Sequence, residues 1–268
     1  MVYNRIKTSN KGSGIMSRLN QVLLDWKPGD IHGSEWLRAR GVDQRLAYSY
    51  YEDGYLEKIG PGVFARKGDE VNPYGVVRFL QQELELKLHI SGRTALELQG
   101  HSHYVALGSK TRIYLTSYEG KAFPTWIKKL EKSFEFVFKK SSLLAQESFL
   151  KTHSESGFEL KISSRELAAL ELIETLDLSG SLETAENYTQ SLLTLRVEVL
   201  QKVLEECNSI KAKRVFLYLV ERLNLPWFKN LKKEKINLGT GKRVIVKGGE
   251  LNKKYQITVD RDYGENPF

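Results

Sequence analysis

SEWLRARGVDQRLAYSYYEDGYLEKIGPGVFARK, residues 34–67, is the stretch that decides the fold of this chain. Ser34 is the predicted cap of a short helix, because a serine hydroxyl accepts a hydrogen bond from an amide at a helix N-terminus. Gly41 is predicted to end that helix, since glycine tolerates the left-handed backbone that often follows a last helical turn. Asp43 is the predicted cap of a second helix that runs to about Asp53.

A tight hairpin is predicted directly after the second helix. Residues 55–59 and 63–66 have the composition and alternation typical of strands. Between them, Gly60-Pro61-Gly62 places proline at the second and glycine at the third position of a turn, which is the arrangement of a type II turn. Two helices followed by a hairpin are typical of a winged helix-turn-helix, a module that usually docks on duplex DNA.

The exposed side of the second helix is the predicted DNA-reading surface. The spacing of Ala47, Tyr50 and Tyr51 predicts that these three side chains face the core. The residues predicted to reach base edges in the major groove are Gln44, Arg45, Tyr48 and Ser49. The residues predicted to hold phosphates are Lys58, Arg66 and Lys67. The alternative is a winged helix that contacts only protein, in which Arg45 is an ordinary solvated charge.

The whole chain is predicted to be an α+β protein with the winged helix-turn-helix at residues 15–70. Residues 1–14 are polar and basic and are expected to form a mobile leader. The polar stretch 67–71 is the predicted domain boundary. Beyond it we expect a second domain over residues 71–268, with a mixed α/β region at 71–162 and a mainly helical region with a terminal hairpin at 163–268.

Periodicity and end signals place the remaining elements. Asn72-Pro73 is the predicted start of a helix that runs to about Leu88, because asparagine caps helices and proline suits the first helical position. Residues 89–100 are predicted to form a short strand, a turn and a short helix. Further predicted helices cover residues 17–26, 125–132, 164–177, 186–207 and 210–223. Further predicted strands cover residues 112–117, 134–139, 158–162, 242–247 and 255–259, the last two joined across Gly248-Gly249.

The composition is that of a soluble globular protein. The 268 residues are 41% hydrophobic and 28% charged. No apolar run approaches the roughly 18 residues that a membrane helix requires, and no secretory signal is visible at the start of the chain. The one cysteine, Cys207, excludes an internal disulfide and a multi-cysteine metal site. We therefore expect a cytoplasmic protein with no membrane partner, no metal and no cofactor.

The positive charge of the chain is concentrated near its C-terminus. Residues 208–254, which we call the basic block, hold 13 basic and 3 acidic side chains, whereas residues 150–207 have a net charge of −6. Such a block favours a polyanionic partner, either nucleic acid or an acidic protein surface. The alternative is a solvated face that the acidic region balances by folding against it. Lys232, Lys233 and Lys235 are the candidate residues for contact with an acidic partner.

Two motifs resemble metal sites, and each has a plainer interpretation. His101 and His103 have a spacing that allows two imidazoles on one metal ion, but no Cys, Asp or Glu stands beside them, so they predict a loop. Glu159 and Lys161 on a predicted strand, with Glu135 as an acidic partner, match one end of a nuclease metal site. Alternating charges on the exposed face of a strand are the commoner meaning of that pattern.

Four stretches, taken in order, resemble the AbiEi family of antitoxins from type IV toxin–antitoxin systems. The first is the winged helix with DGYLEKI (53–59) and GVF (62–64). The others are ISGRTALELQG (90–100), ISSRELA (162–168), and INLGTGKRVIVKGG (236–249) with KYQI (254–257). The resemblance runs from about residue 17 to the end. Pro61 departs from it, because the family often has a basic residue before the wing glycine.

The resemblance implies an antitoxin without enzymatic activity. Its winged helix would repress its own operon by binding inverted repeats in the promoter. The remainder would neutralise a cognate nucleotidyltransferase-like toxin, directly or indirectly. Two alternatives stay open. One is a plain winged-helix transcription regulator whose C-terminal domain senses a ligand or dimerises, and the other is a winged-helix-linked nuclease that uses Glu135, Glu159 and Lys161.

Overall fold

The computed structural model describes residues 12–101, 111–119, 123–130, 134–141, 143, 147–179 and 181–261, with the backbone alone for residues 12–17. The chain divides into two compact units. The first comprises Met1–Glu85 and Pro124–Lys132, and the second comprises Leu86–Phe123 and Ser133–Phe268. Both units contain helices and strands, so the predicted α+β class is confirmed. Most of the predicted leader lies outside the described residues, and residues 12–14 already belong to the first helix.

The first unit is a winged helix-turn-helix, as predicted. Its elements are α1 (Gly12–Asp25), β1 (Ile31–Gly33), α2 (Ser34–Ala39), α3 (Gln44–Glu52), β2 (Leu56–Gly60), β3 (Val63–Arg66) and α4 (Pro73–Gln82). The three strands form an antiparallel sheet in the order β1-β3-β2. The sequence did not predict β1, because three residues are too few for strand alternation to be visible. A 3₁₀ turn, Thr125–Leu130, also belongs to this unit.

An apolar cluster holds the helices of the first unit against its hairpin. Its buried members are Leu19, Val22, Trp26, Leu37, Val42, Ala47, Tyr50, Leu56 and Phe64. They come from α1 and the residue after it, from α2, α3 and the turn between them, and from both strands of the hairpin. Because these side chains leave water together, their burial fixes the position of α3 relative to α2 and the sheet.

Local hydrogen bonds set the ends of α2 and α3. Gly41 has the predicted left-handed backbone, with a φ of +76°. Asp43 caps α3 as predicted, because its Oδ1 accepts the Leu46 amide at 2.8 Å. The prediction for Ser34 is wrong: Gly33 occupies the cap position of α2, and Ser34 is its first residue.

α4 begins as the sequence predicts. The side chain of Asn72 accepts the Tyr74 amide at 2.8 Å and thereby caps the helix. Pro73 takes the first helical position, where its missing amide hydrogen is not needed. Phe79 and Leu80 on the same helix are buried, which makes α4 part of a core and not a surface linker.

The end of α4 corrects two predictions. The helix ends at Gln82 and does not run to Leu88, because Glu85 has a left-handed backbone, with a φ of +50°, that a right-handed helix cannot contain. Just beyond the helix end, the Glu83 carboxylate accepts the Gly33 amide at 2.8 Å. This bond joins the end of α4 to the strand β1. The first unit therefore continues through α4, past the boundary predicted at 67–71, because the chain beyond that polar stretch returns to the same module.

The second unit is a mixed sheet with helices packed on it. Its elements are β4 (Leu88–Ile90), α5 (Gly92–Glu97), β5 (Thr111–Ser117), β6 (Phe134–Lys140), β7 (Leu150–Glu155), β8 (Phe158–Ser163), α6 (Arg165–Thr175), α7 (Glu183–Gln190), α8 (Val197–Glu206), α9 (Ile210–Arg222), β9 (Glu250–Asn252) and β10 (Ile257–Val259). Five strands follow the order β6-β5-β4-β8-β7, and β9 pairs with β10 separately. The pairs β4–β8 and β5–β6 are parallel, and the other pairs are antiparallel. β7 was not predicted, because its sequence LKTHSE is polar.

Most residues of α6 are buried, and Glu166 in its first turn is fully buried. The Glu166 carboxylate accepts hydrogen bonds from Arg196, from the amide at 3.0 Å and from the guanidinium at 2.9 and 3.1 Å. Burial acts to raise the pKa of Glu166, but the hydrogen bonds from Arg196 outweigh it and lower the pKa below its ordinary value. An ionised Glu166 thus ties α6 to the residue that precedes α8.

The helix predicted over 186–207 is two helices, α7 and α8. In the segment between them, the Leu192 carbonyl oxygen accepts a hydrogen bond from the indole nitrogen of Trp227 at 2.7 Å. The Arg196 amide donates to Glu166 at 3.0 Å. A carbonyl and an amide that a continuous helix would need are therefore bonded to residues of other elements, and the helix breaks between them.

Two further predictions are wrong, one about the type of a helix and one about which strand pairs with β10. Residues 125–132 were predicted as an α-helix, whereas the described part is a 3₁₀ turn. β10 pairs with β9, and the predicted strand at 242–247 contributes only an isolated bridge between Arg243 and Ile257. That bridge is parallel, whereas the two strands of the predicted hairpin would run antiparallel.

Candidate nucleic-acid interface

α3 presents the predicted DNA-reading residues to solvent. Ala47 and Tyr50 are buried against the core, as predicted, and the opposite face of the helix is exposed. The exposed residues of that face include Gln44, Arg45, Tyr48 and Ser49. The expectation that Tyr51 faces the core is wrong: it is 37% exposed, and its ring centroid lies 5.7 Å from that of Tyr48. Leu46 packs against the core in its place.

Hydrogen bonds within α3 engage some of these side chains and leave Arg45 available. The Ser49 hydroxyl donates to the Asp53 carboxylate at 3.2 Å. A hydrogen bond to Glu52 raises the pKa of Tyr48 above its ordinary value, which keeps that hydroxyl a donor. Arg45 makes no ion pair with any residue that the structure describes. Its guanidinium is therefore the strongest donor that α3 offers to a base edge.

The electrostatic surroundings of α3 are not basic. Asp43 precedes the helix, and Glu52 and Asp53 end it, so carboxylates lie at both ends of α3. A duplex carries a negative phosphate at every step of each strand, and binding draws much of its affinity from cations that neutralise those charges. Phosphate contacts would therefore depend mostly on cations elsewhere on the first unit.

The three predicted phosphate residues of the hairpin differ in their partners. Lys58 is exposed and makes no ion pair with a described residue. Lys67 Nζ lies 3.6 Å from a Glu57 carboxylate oxygen in an exposed pair. The Arg66 guanidinium donates to both Asp69 carboxylate oxygens at 3.1 Å and is only 29% exposed. Lys58 is the cation of this hairpin that needs no rearrangement to meet a phosphate.

The hairpin turn lies close to the body of the first unit. β1 pairs with β3 as far as Val63, the first residue after the turn. The Ser34 amide and hydroxyl both donate to the Gly62 carbonyl oxygen, at 2.9 and 3.1 Å. Gly62 has a φ of +67°, as a type II turn requires at its third position. The turn is thereby tied to the N-terminus of α2 and does not extend beyond the sheet as a long wing.

The three candidate lysines of the basic block lie around a short 3₁₀ turn, Lys233–Lys235, and are exposed. The Lys233 ammonium lies 3.7 Å from the centroid of the Phe228 ring. Lys232 and Lys235 line a cleft of about 510 Å³ whose opposite side includes acidic residues of α8. The acidic region thus faces part of the basic block, as one of the two sequence interpretations proposed.

Two family models match consecutive parts of the chain. One, described as the N-terminal domain of the transcriptional regulator AbiEi antitoxin, matches residues 16–107. The other, described as a transcriptional regulator, AbiEi antitoxin, of a type IV TA system, matches residues 110–260. The chain belongs to the AbiEi antitoxin family. The resemblance inferred from four short stretches is therefore confirmed.

A solved structure shares the fold of this AbiEi chain. That structure is the crystal structure of the RV2827C protein from Mycobacterium tuberculosis. The two chains superpose with a TM-score of 0.61 and 16% sequence identity, over 92% of this chain and 91% of that chain. At that identity the likeness shows the fold alone. No curated protein matches the sequence. Among the described residues, no helix combines the length and apolar character needed to cross a membrane.

The residues of the nuclease alternative do not come together in this AbiEi chain. Glu135 on β6 pairs with Arg112 on β5 at 3.0 Å. Glu159 and Lys161 lie on β8, and the strand order places β5 and β4 between β6 and β8, a separation of about 14 Å. Lys161 Nζ is 3.1 Å from a carboxylate oxygen of Glu147. The expected acidic partner is therefore wrong, because the predicted strands are not neighbours.

Of the two histidines whose spacing would allow a shared metal ion, the structure describes His101. His103 lies outside the described residues. Nδ1 of His101 lies 3.1 Å from the carbonyl oxygen of Ser191. Within the part of the chain that the structure describes, no group of three or more His, Cys, Asp or Glu side chains is placed to hold a metal ion.

Proposed function

We propose that this AbiEi chain is an autoregulating antitoxin. Its winged helix-turn-helix binds inverted repeats in its own promoter and represses its operon, and the remainder of the chain neutralises a nucleotidyltransferase-like toxin, directly or indirectly. Family membership supports both activities. The observation that carries DNA binding is the exposed face of α3, with Arg45 not engaged in any described ion pair.

The chemistry of that face suits base edges in a major groove. An arginine fork donates two hydrogen bonds to guanine, and a glutamine side chain pairs with adenine, so Arg45 and Gln44 supply two different base preferences. The exposed rings of Tyr48 and Tyr51 add apolar surface that contacts a thymine methyl group. Lys58 contacts a phosphate and contributes affinity without sequence information.

Arg45→Ala is expected to weaken binding to the promoter duplex about 10- to 100-fold while changing binding to a mixed-sequence duplex much less, because a base contact is worth about 1–3 kcal/mol of discrimination. Lys58→Ala is expected to weaken both duplexes alike and to reduce the salt dependence by about 0.9 units of slope. Fluorescence anisotropy with the two duplexes across a range of KCl concentrations measures both effects.

Arg112→Ala is the matched control for this experiment. Arg112 is an exposed arginine of the second unit whose partner is Glu135, so its removal changes the net charge by the same amount. It should leave both duplex affinities close to those of the unchanged chain. An equal loss on both duplexes for Arg45→Ala would remove α3 from the role of recognition helix.

The proposed neutralising surface is formed by Lys232, Lys233 and Lys235. All three are exposed, and they belong to the most basic part of the chain. An acidic patch on the toxin, or on the substrate that the toxin modifies, is the partner that such a surface attracts. α8 lines the same cleft with Glu198 and Glu205. These two carboxylates offset part of the positive charge that the lysines present there.

Changing Lys232, Lys233 and Lys235 together to glutamine is expected to reduce rescue of growth when the chain is produced with the toxin from the neighbouring gene. Changing all three to glutamate should abolish rescue, because reversal adds repulsion to the lost attraction. The readout is colony growth, with promoter binding as a test that the fold is intact. Glutamine changes at Lys151, Lys242 and Lys253, which are also exposed, alter the net charge equally and should leave rescue unaffected.

The alternative function is a plain transcription regulator whose second unit senses a ligand. The cleft of about 510 Å³ favours it, since small-molecule sites have volumes of this order. Production of the unchanged chain with the neighbouring toxin separates the two. Rescue of growth supports the antitoxin, whereas promoter repression without rescue supports the plain regulator.

A further inference from the structure

The turn Thr125–Leu130 packs on the hairpin of the first unit although it comes from the middle of the chain. Ile127 is fully buried, and the Trp126 ring meets Phe79 edge to face, with centroids 6.1 Å apart. The same indole covers Gly60 at the end of β2: a Cβ atom there would lie 2.7 Å from the Trp126 ring. Only a glycine allows this contact, so the indole and the hairpin form one packed surface.

The 3₁₀ turn that packs on the hairpin through Trp126 also carries two lysines. Lys128 and Lys129 follow Trp126 directly in the same 3₁₀ turn, and both are exposed. Neither makes an ion pair with a residue that the structure describes. Because Trp126 and Ile127 are held by packing, the two ammonium groups project from a fixed backbone and not from a loose loop.

The position of these lysines matters because two of the three hairpin cations are already in ion pairs. Arg66 is bonded to Asp69, and Lys67 is paired with Glu57. α3 itself has carboxylates at both ends. Within the hairpin and the turn packed on it, the described cations that lack an ion pair with a described residue are Lys58, Lys128 and Lys129.

We propose that residues 124–130 act as an inserted second wing, in which Lys128 and Lys129 contact the phosphates of duplex DNA beside the hairpin. The proposal rests on the DNA binding proposed above and adds residues to it. Lysine ammonium groups neutralise phosphates as point charges and do not read bases. The inserted wing therefore supplies affinity to any duplex, whereas Arg45 supplies the preference for the promoter.

The test uses the full chain with Lys128 and Lys129 both changed to glutamine. Its binding to a short mixed-sequence duplex and to the promoter duplex is measured across a KCl series. The slope of log affinity against log salt is expected to fall by about 1.8 units, that is 0.9 for each of two lost phosphate contacts. Affinity for the two duplexes should fall by the same factor, so the preference for the promoter stays unchanged.

The matched control changes Lys151 and Lys253 to glutamine, two exposed lysines of the second unit. It removes the same net charge and should lose much less than the double change in the inserted wing. An unchanged salt slope for the Lys128 and Lys129 variant, or a loss no greater than that of the control, would overturn the inserted wing while leaving promoter binding in place. Absence of DNA binding by the unchanged chain would overturn the proposed function as well.

Discussion

Glu171→Ala is expected to lower the free energy of unfolding of the second unit by about 3–5 kcal/mol. Glu171 is buried on α6, and its carboxylate accepts three hydrogen bonds: His89 Nε2 at 2.7 Å, the Ser163 hydroxyl at 2.6 Å and the Gly92 amide at 3.0 Å. Alanine would leave these donors without an acceptor where water has little access, at a cost of about 1–3 kcal/mol for each group. The missing side-chain volume adds to the loss.

Urea unfolding followed by peptide-resolved hydrogen exchange measures this loss separately for each unit. Glu171→Gln keeps the size of the side chain and one acceptor oxygen, so a smaller loss is expected. Glu234→Ala removes an exposed carboxylate and should change stability by less than about 0.5 kcal/mol. If Glu171→Ala behaved like Glu234→Ala, the three hydrogen bonds would have no part in holding α6 to the sheet.

Arg78→Ala is expected to destabilise the first unit by a similar amount, about 3–5 kcal/mol, because it leaves one buried and one half-buried carboxylate without their cation. Arg78 on α4 donates to Asp30 at 2.9 Å, to Glu83 at 2.9 Å and to the Ile31 carbonyl oxygen at 2.7 Å. Burial raises the pKa of Asp30, and Arg78 opposes that rise. Burial also acts to raise the pKa of Glu83, but hydrogen bonds, chiefly from His32, lower it below its ordinary value.

The control for Arg78 is another arginine in an ion pair of known exposure. Arg112 and Glu135 are 62% and 41% exposed, so Arg112→Ala should cost less than about 1 kcal/mol. Arg78→Lys keeps the charge but loses the planar fork, and an intermediate loss is expected. Promoter binding by the Arg78→Ala chain should weaken because less of the first unit is folded. Wild-type stability of that chain would show that α4 is not tied to β1 through Arg78.

The sequence predicted the position of α3 well and its core-facing side chains less well. Ala47 and Tyr50 are buried as the helical period requires, whereas Tyr51 is exposed. Tyr51 lies at the edge of the stripe that the period defines, where either outcome fits the pattern. The neighbouring packing of Leu46 against the core decides it, and that contact depends on how α3 is rotated within the unit.

The sequence by itself determined the winged helix-turn-helix, because its helix starts and its turn depend on interactions between residues close together in the chain. Asp43, Asn72 and Ser164 each accept an amide two or three residues further on, so these helix starts depend only on neighbours in the chain. Gly60-Pro61-Gly62 sets the hairpin turn in the same way. These signals, taken in order, predicted the winged helix-turn-helix and supported the AbiEi family.

Contacts between residues far apart in sequence decided the rest. The bonds from Trp227 and Glu166 break the helix predicted at 186–207, Arg78 brings α4 into the first unit, and Trp126 covers the hairpin. Helix propensities differ by less than about 1 kcal/mol for most residues, so one buried hydrogen bond or aromatic contact is enough to override them. No local pattern records such a contact, because its two partners meet only when the chain is folded.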